Sequence, residues 1–143
     1  MWLIYLVQSL TWLDLSNNRL VRIEDSTFSA LNHLTFLDLS HNKELVLETR
    51  GRSFKGLEDS LLHLYLNNVS LNEVPDLPLR ALRTLHVTHN EIDEIPNEMS
   101  SNLTSLQRLD VSYNQLQVIL IFVLYQMQFY WTKDDLHVWA LLK

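Results

Sequence analysis

One recurring string constrains the fold more than any other property of the chain. From Leu10 the sequence runs Leu10-Thr-Trp-Leu13-Asp-Leu15-Ser-Asn-Asn18-Arg-Leu20, an L-x-x-L-x-L-x-x-N-x-L pattern. It returns at Leu34, Leu37, Leu39 and Asn42, then at Leu61, Leu64 and Leu66. Two further copies carry Leu82, Leu85, Val87, Asn90 and Ile92, and Leu106, Leu109, Val111, Asn114 and Leu116. The second leucine falls at 13, 37, 64, 85 and 109, in steps of 24, 27, 21 and 24 residues. Leucine supplies 31 of 143 residues, so the spacing rather than the count is the signal. Within each copy the L-x-L pair has period two, which puts both leucines on one face of a short strand. A connection of about twenty residues rules out hairpin pairing and suits parallel strands joined by a crossover. A coil this small cannot bury its own leucines and has to stack on its neighbours. The expected architecture is an α/β-type solenoid: a horseshoe with a short parallel sheet on its concave face and irregular or 3-10 segments on its convex face.

The returning halves repeat as well. Phe28 and Leu31, Phe54 and Leu57, Leu79, and Met99 and Leu103 precede successive copies, and Ile23, Leu47, Val74, Ile95 and Val118 follow them. Val74-Pro75 and Ile95-Pro96 favour extended backbone over a long helix on the convex side. Asn18, Asn42, Asn90 and Asn114 share one register, where an amide that donates and accepts at once can bridge successive coils as a buried ladder. Val69 interrupts that register, predicting a gap partly filled by Asn68. The 27-residue step predicts a bulging convex loop over 48–56.

Residues 10–118 thus form five repeats, and residues 1–9 read as the tail of a preceding one, with Ile4 and Val7 in the register of Phe28 and Leu31. The first ten residues lack a basic start and a small-residue cleavage site, so they make a poor signal peptide. Beyond Val118 the leucine register is lost: positions 130, 133 and 135 hold Tyr130, Lys133 and Asp135. The apolar run at 118–131 is shorter than the roughly 20 residues that a membrane-spanning helix wants. Residues 119–143 are therefore open to three readings: a cap over the last coil, a membrane-associated segment, or a tail foreign to the array. Trp131, Asp134, Asp135, Leu136 and Trp139 suit a short amphipathic helix.

Composition narrows the function. A formal charge of −6 excludes the basic footprint of a nucleic-acid binder. With 2 Gly there is neither a phosphate-cradling loop nor a G-x-S-x-G elbow, and with 0 Cys no disulfide, thiolate metal site or cysteine nucleophile. The six histidines show no H-x-x-x-H spacing. His63 and His86 fall on neighbouring strands and are the one pair expected to approach each other, but zinc wants three or four ligands. No catalytic residue, metal site or cofactor is expected.

What remains is surface. Residues between the inward leucines point out of the sheet, and parallel stacking lines them into columns. The first is Trp12, Phe36, His63, Thr84 and Arg108; the second is Asp14, Asp38, Tyr65, His86 and Asp110; the third, near the strand ends, is Asn17, His41, Asn68, His89 and Tyr113. Aromatics, a guanidinium, carboxylates and imidazoles on a rigid frame suit a protein-binding face. The concave histidines predict binding that varies between about pH 5 and 7. Two N-x-[ST] sequons, Asn68-Val-Ser70 and Asn102-Leu-Thr104, are candidate glycosylation sites, the second on the convex side. Glu91, Asp93, Glu94 and Glu98 read as a solvated acidic edge, and Arg50, Arg52 and Lys55 as a solvated basic loop.

The 24-residue steps, the convex phenylalanines Phe28 and Phe54 and the L-D-L-S-x-N strings at 13–18 and 37–42 resemble the typical extracellular class of the leucine-rich repeat family. Residues 54–96 resemble the ectodomain of a lipid-anchored arthropod photoreceptor adhesion protein of that class. The resemblance implies a glycosylated module at the cell surface that binds a protein ligand or a second copy through its concave face, and is attached by an anchor that this chain does not display. Such ectodomains usually carry cysteine-rich caps and many more repeats, and this chain has neither. An intracellular leucine-rich repeat scaffold and a fragment of an innate-immune receptor ectodomain are the alternatives.

Overall fold

The L-x-L pairs form a three-residue strand in every copy: β1 (Trp12–Asp14), β2 (Phe36–Asp38), β3 (His63–Tyr65), β4 (Thr84–His86) and β5 (Arg108–Asp110). The computed structural model describes residues 8–47, 52–96 and 98–116, and the backbone of 137–139. Every strand pairs in parallel with the next, in chain order, so the sheet is one layer of a solenoid. The register places Leu13, Leu37, Leu64, Leu85 and Leu109 opposite one another despite the uneven steps between them. Differences in length are therefore taken up entirely on the return path.

A continuous apolar spine runs along the inside. Leu34, Leu37, Leu39, Leu61, Leu64, Leu66, Leu82, Leu85, Val87, Leu106 and Leu109 are all fully buried, and Phe28, Phe54, Leu79, Met99 and Leu103 close it from the convex side. Leu10, Leu13 and Leu15 of the first coil are only partly buried. At roughly 25 cal/mol per Å² of apolar surface, this burial supplies most of the stability of an array whose coils touch only their neighbours.

The convex face combines short pieces: a 3-10 turn at Arg52–Phe54, one α-helical turn α1 (Met99–Asn102), and irregular backbone through Val74-Pro75. The expected bulge over 48–56 is corrected in its second half. Ser53 and Phe54 are buried, and Gly56 lies so close to the preceding coil that a Cβ would sit 2.6 Å from the Ser29 Cα. With φ at +97°, Gly56 meets both demands as no other residue can. The first part of that stretch, 48–51, lies outside the described residues, as do 1–7 and the apolar run at 118–131. Among the described residues no helix is long and apolar enough to cross a membrane.

A sixth strand, β6 (His137–Trp139), pairs in parallel with β5, with Leu109 opposite Val138. This corrects the expected helix at 137–139, while 131–136 lie outside the described residues. Backbone hydrogen bonding to the edge of β5 selects an extended segment whether or not leucines flank it.

Candidate functional site

Three of the five repeat strands, β1, β2 and β5, end in the same device. The Asp14 carboxylate accepts a hydrogen bond from the Ser16 amide at 2.9 Å, Asp38 from Ser40 at 2.8 Å and Asp110 from Ser112 at 3.0 Å. The repeated D-x-S string is the signal for it; the outward column alone marks these aspartates only as part of a binding face. The hydrogen bonds from Ser16 hold the Asp14 carboxyl below the usual carboxylate range. Where Tyr65 replaces the aspartate, the Asn67 backbone amide donates to the Ser40 hydroxyl at 3.1 Å; where His86 does, Asn67 Oδ1 accepts from the Thr88 amide at 2.9 Å and the Thr88 hydroxyl at 3.0 Å.

The next residue of the turn is left-handed in every coil: Asn17, His41, Asn68, His89 and Tyr113 have φ between 53° and 62°. This is the whole third column. Its side chains are thrown onto one rim of the sheet by a conformation that costs an ordinary L-residue about 1–2 kcal/mol. Along that rim Asn68 Nδ2 lies 3.1 Å from His41 Nδ1, and the His89 and Tyr113 rings stack at 4.3 Å.

Behind the turn stands the asparagine ladder. Asn90 Nδ2 donates to the Leu66 carbonyl of the preceding coil at 2.8 Å and to its own Val87 carbonyl at 2.9 Å, while its Oδ1 accepts from the Val69 and Leu71 amides. Asn42 and Asn114 bridge their coils in the same way and are buried. Two expectations are corrected. Asn18 is exposed and bonds only carbonyls of its own turn, because no described coil lies in front of it. Asn68 does not fill the gap at Val69; its backbone turns it to the rim beside His41, and the buried Val69 amide is satisfied by Asn90.

On the concave face the first two columns merge into one diagonal stack. Trp12 lies flat on Phe36 at 3.4 Å, Phe36 tilts against Tyr65 at 5.2 Å, Tyr65 stacks on His86 at 4.7 Å, and His86 Nδ1 ends 3.7 Å from an Asp110 carboxylate oxygen. Such ring pairs add about 0.5–1.5 kcal/mol each to simple burial. Trp12 is 59% exposed, while Thr84 is buried between its neighbours. His63 and His86 do not pair: strand register sets His86 beside Tyr65 and His63 beside Thr84. Burial depresses the pKa of both, reinforced at His63 by Arg83 and Arg108. At His86 Asp110 and Asp38 pull the other way. Arg108 is exposed on β5, the last of the repeat strands. Among the described residues no group of three or more metal-ligating side chains converges.

The leucine rich repeat family pattern matches residues 8–71 and 80–121. The chain belongs to the leucine-rich repeat family. It is 44% identical to chaoptin of Drosophila melanogaster over 109 residues, 76% of this chain and 8% of that protein, and 45% identical to chaoptin of Tribolium castaneum over 112 residues, 78% and 14%. Human lumican is 38% identical over 139 residues, 80% of this chain and 40% of lumican. The chain thus spans a small part of the length of these relatives. Among solved structures, the leucine-rich repeat domain of APL1B superposes with a TM-score of 0.62 at 27% identity, covering 93% of this chain and 42% of that one. Human 5T4 trophoblast glycoprotein shares the fold, with a TM-score of 0.63 at 24% identity over 94% and 59%.

Proposed function

We propose that this leucine-rich repeat chain is a non-enzymatic protein-recognition segment acting at the cell surface or outside the cell, in adhesion or receptor-like contacts. Its protein ligand, or a second copy, seats on the concave face formed by Trp12, Asp14, Phe36, Asp38, His63, Tyr65, His86, Arg108 and Asp110, with His41, His89 and Tyr113 along the rim. The diagonal stack from Trp12 to His86 carries this reading. It presents large, pre-ordered side chains that lose little rotamer freedom on binding, as interface hot spots require. The extracellular placement is supported by the similarity to chaoptin and lumican and by the sequons at Asn68 and Asn102.

The test has two arms. Labelling intact cells with a membrane-impermeant biotin reagent is expected to modify the native protein; exclusion from the label supports an intracellular scaffold instead. Cells displaying the chain are then assayed for clustering with each other and with unmodified cells. Trp12→Ala with Tyr65→Ala is expected to abolish clustering while leaving the fold intact by circular dichroism. Unchanged clustering moves the binding face elsewhere.

A further inference from the structure

The shortest coil leaves a step on the convex side. The 21-residue step between Leu64 and Leu85 leaves 74–77 without a helical turn, whereas the following coil places α1 there. Between them lies a groove of about 420 Å³, floored by Val74, Pro75, Met99 and Leu103 and rimmed by Glu73, Asp76 and Glu98. Asn102 lines it as well, half-buried at the end of α1, with its amide Nδ2 donating to Asp76 Oδ1 at 2.7 Å. The same nitrogen belongs to the sequon Asn102-Leu103-Thr104, whose Thr104 is exposed.

We propose that Asn102 carries an N-linked glycan and that its first N-acetylglucosamine lies in this groove. The inference rests on the extracellular reading above, since only chains in the secretory pathway meet the donor. Nδ2 attacks C1 of a lipid-pyrophosphate-linked oligosaccharide; the Nδ2–C1 bond forms, one amide hydrogen leaves as a proton, and the pyrophosphate departs with the C1–O electron pair. Nδ2 keeps its second hydrogen, so its bond to Asp76 survives and orients the sugar. The apolar floor suits a pyranose face, and the rim carboxylates accept hydrogen bonds from sugar hydroxyls and the N-acetyl amide. The other sequon has no such setting: Asn68 occupies a left-handed turn against His41.

The full chain, secreted behind an added leader, is trimmed with an endoglycosidase to a single N-acetylglucosamine and compared with Thr104→Ala, which removes the sequon but keeps the Asn102 amide. Peptide mass spectrometry is expected to find Asn102 occupied. Thr104→Ala is expected to lower the thermal midpoint by about 3 °C, and the two chains should melt together when made in bacteria. Asp76→Ala should erase the advantage of the trimmed chain. An occupied Asn102 with no difference in midpoint overturns the groove-bound sugar, and an unoccupied Asn102 overturns the site itself. Neither result touches the extracellular reading, which the biotin labelling of the native protein decides. Binding of a lysine-rich peptide to the secreted, occupied chain through Glu73 and Glu98 would show the groove open to a partner and overturn the proposal.

Discussion

Asn90 is the best place to measure how one coil holds the next. Replacing it with alanine removes hydrogen bonds to the Val69 and Leu71 amides at 3.0 and 3.1 Å, and to the Leu66 and Val87 carbonyls at 2.8 and 2.9 Å. At about 1 kcal/mol net for each bond, the four sum to about 4 kcal/mol. Stranded buried partners push the cost up by as much as 1–3 kcal/mol each, while water entering the space left by the amide brings it down. The expected loss is about 3–5 kcal/mol. Asn18→Ala is the internal control, because the same residue type in the same register bonds only the exposed carbonyls of its own turn; it should cost less than about 1 kcal/mol. Urea titration followed by circular dichroism reads both as shifts in midpoint at an unchanged slope. Since the Asn90 bonds join the third coil to the fourth, their loss falls on a nearest-neighbour interface. Equal shifts for the two variants would refute the view that the amides act between coils.

Other outcomes follow from the same geometry. Leu85→Ala, at a fully buried position, should cost about 2–5 kcal/mol, whereas Arg108→Ala on the open face should change the urea midpoint little; similar shifts would mean that inside and outside are reversed. His89 has φ at 55°, so His89→Val should lose about 1–3 kcal/mol through a β-branched residue forced left-handed, while His89→Asn should stay close to the parent in thermal melts. His63 and His86 both titrate lower in the folded chain than their ordinary value of 6.5. The unfolded chain therefore binds more protons, so their contribution is complete above pH 6.5 and is lost as pH falls from there towards their folded values. Melts between pH 7.5 and 5 should show a decline that His63→Phe with His86→Phe flattens.

How far the sequence speaks depends on whether a feature repeats. The leucine spine, the strand positions and the buried Asn42, Asn90 and Asn114 follow from period alone, because stacking forces identical positions into identical surroundings. The aspartate caps were equally legible in Asp14-Leu-Ser16, Asp38-Leu-Ser40 and Asp110-Val-Ser112, but a carboxylate in an outward column beside aromatics reads first as part of a binding face. The left-handed rim was hidden because Asn17, His41, Asn68, His89 and Tyr113 do without the glycine that usually marks such a backbone. In the diagonal stack the Trp12–Phe36 and Tyr65–His86 contacts follow strand register, whereas the Phe36–Tyr65 contact that joins the two columns depends on ring size and was not legible. The groove beside Asn102 arises from a mismatch between two coils, which neither coil shows by itself. β6 keeps an aliphatic residue, Val138, opposite Leu109 but lies beyond the expected spacing, since hydrogen bonding by an open strand edge does not fix the length of the return path.

The uneven steps have a consequence for how such a chain changes over time and how it can be re-engineered. Spacings that range from 21 to 27 residues leave each strand in step with the next, with Phe36 still opposite His63 and His63 opposite Thr84. Insertions and deletions on the outer arc are thus mechanically insulated from the inner surface. The outer arc is free to acquire grooves, loops and appended groups one coil at a time, while the arrangement met by a ligand is altered only by substitution.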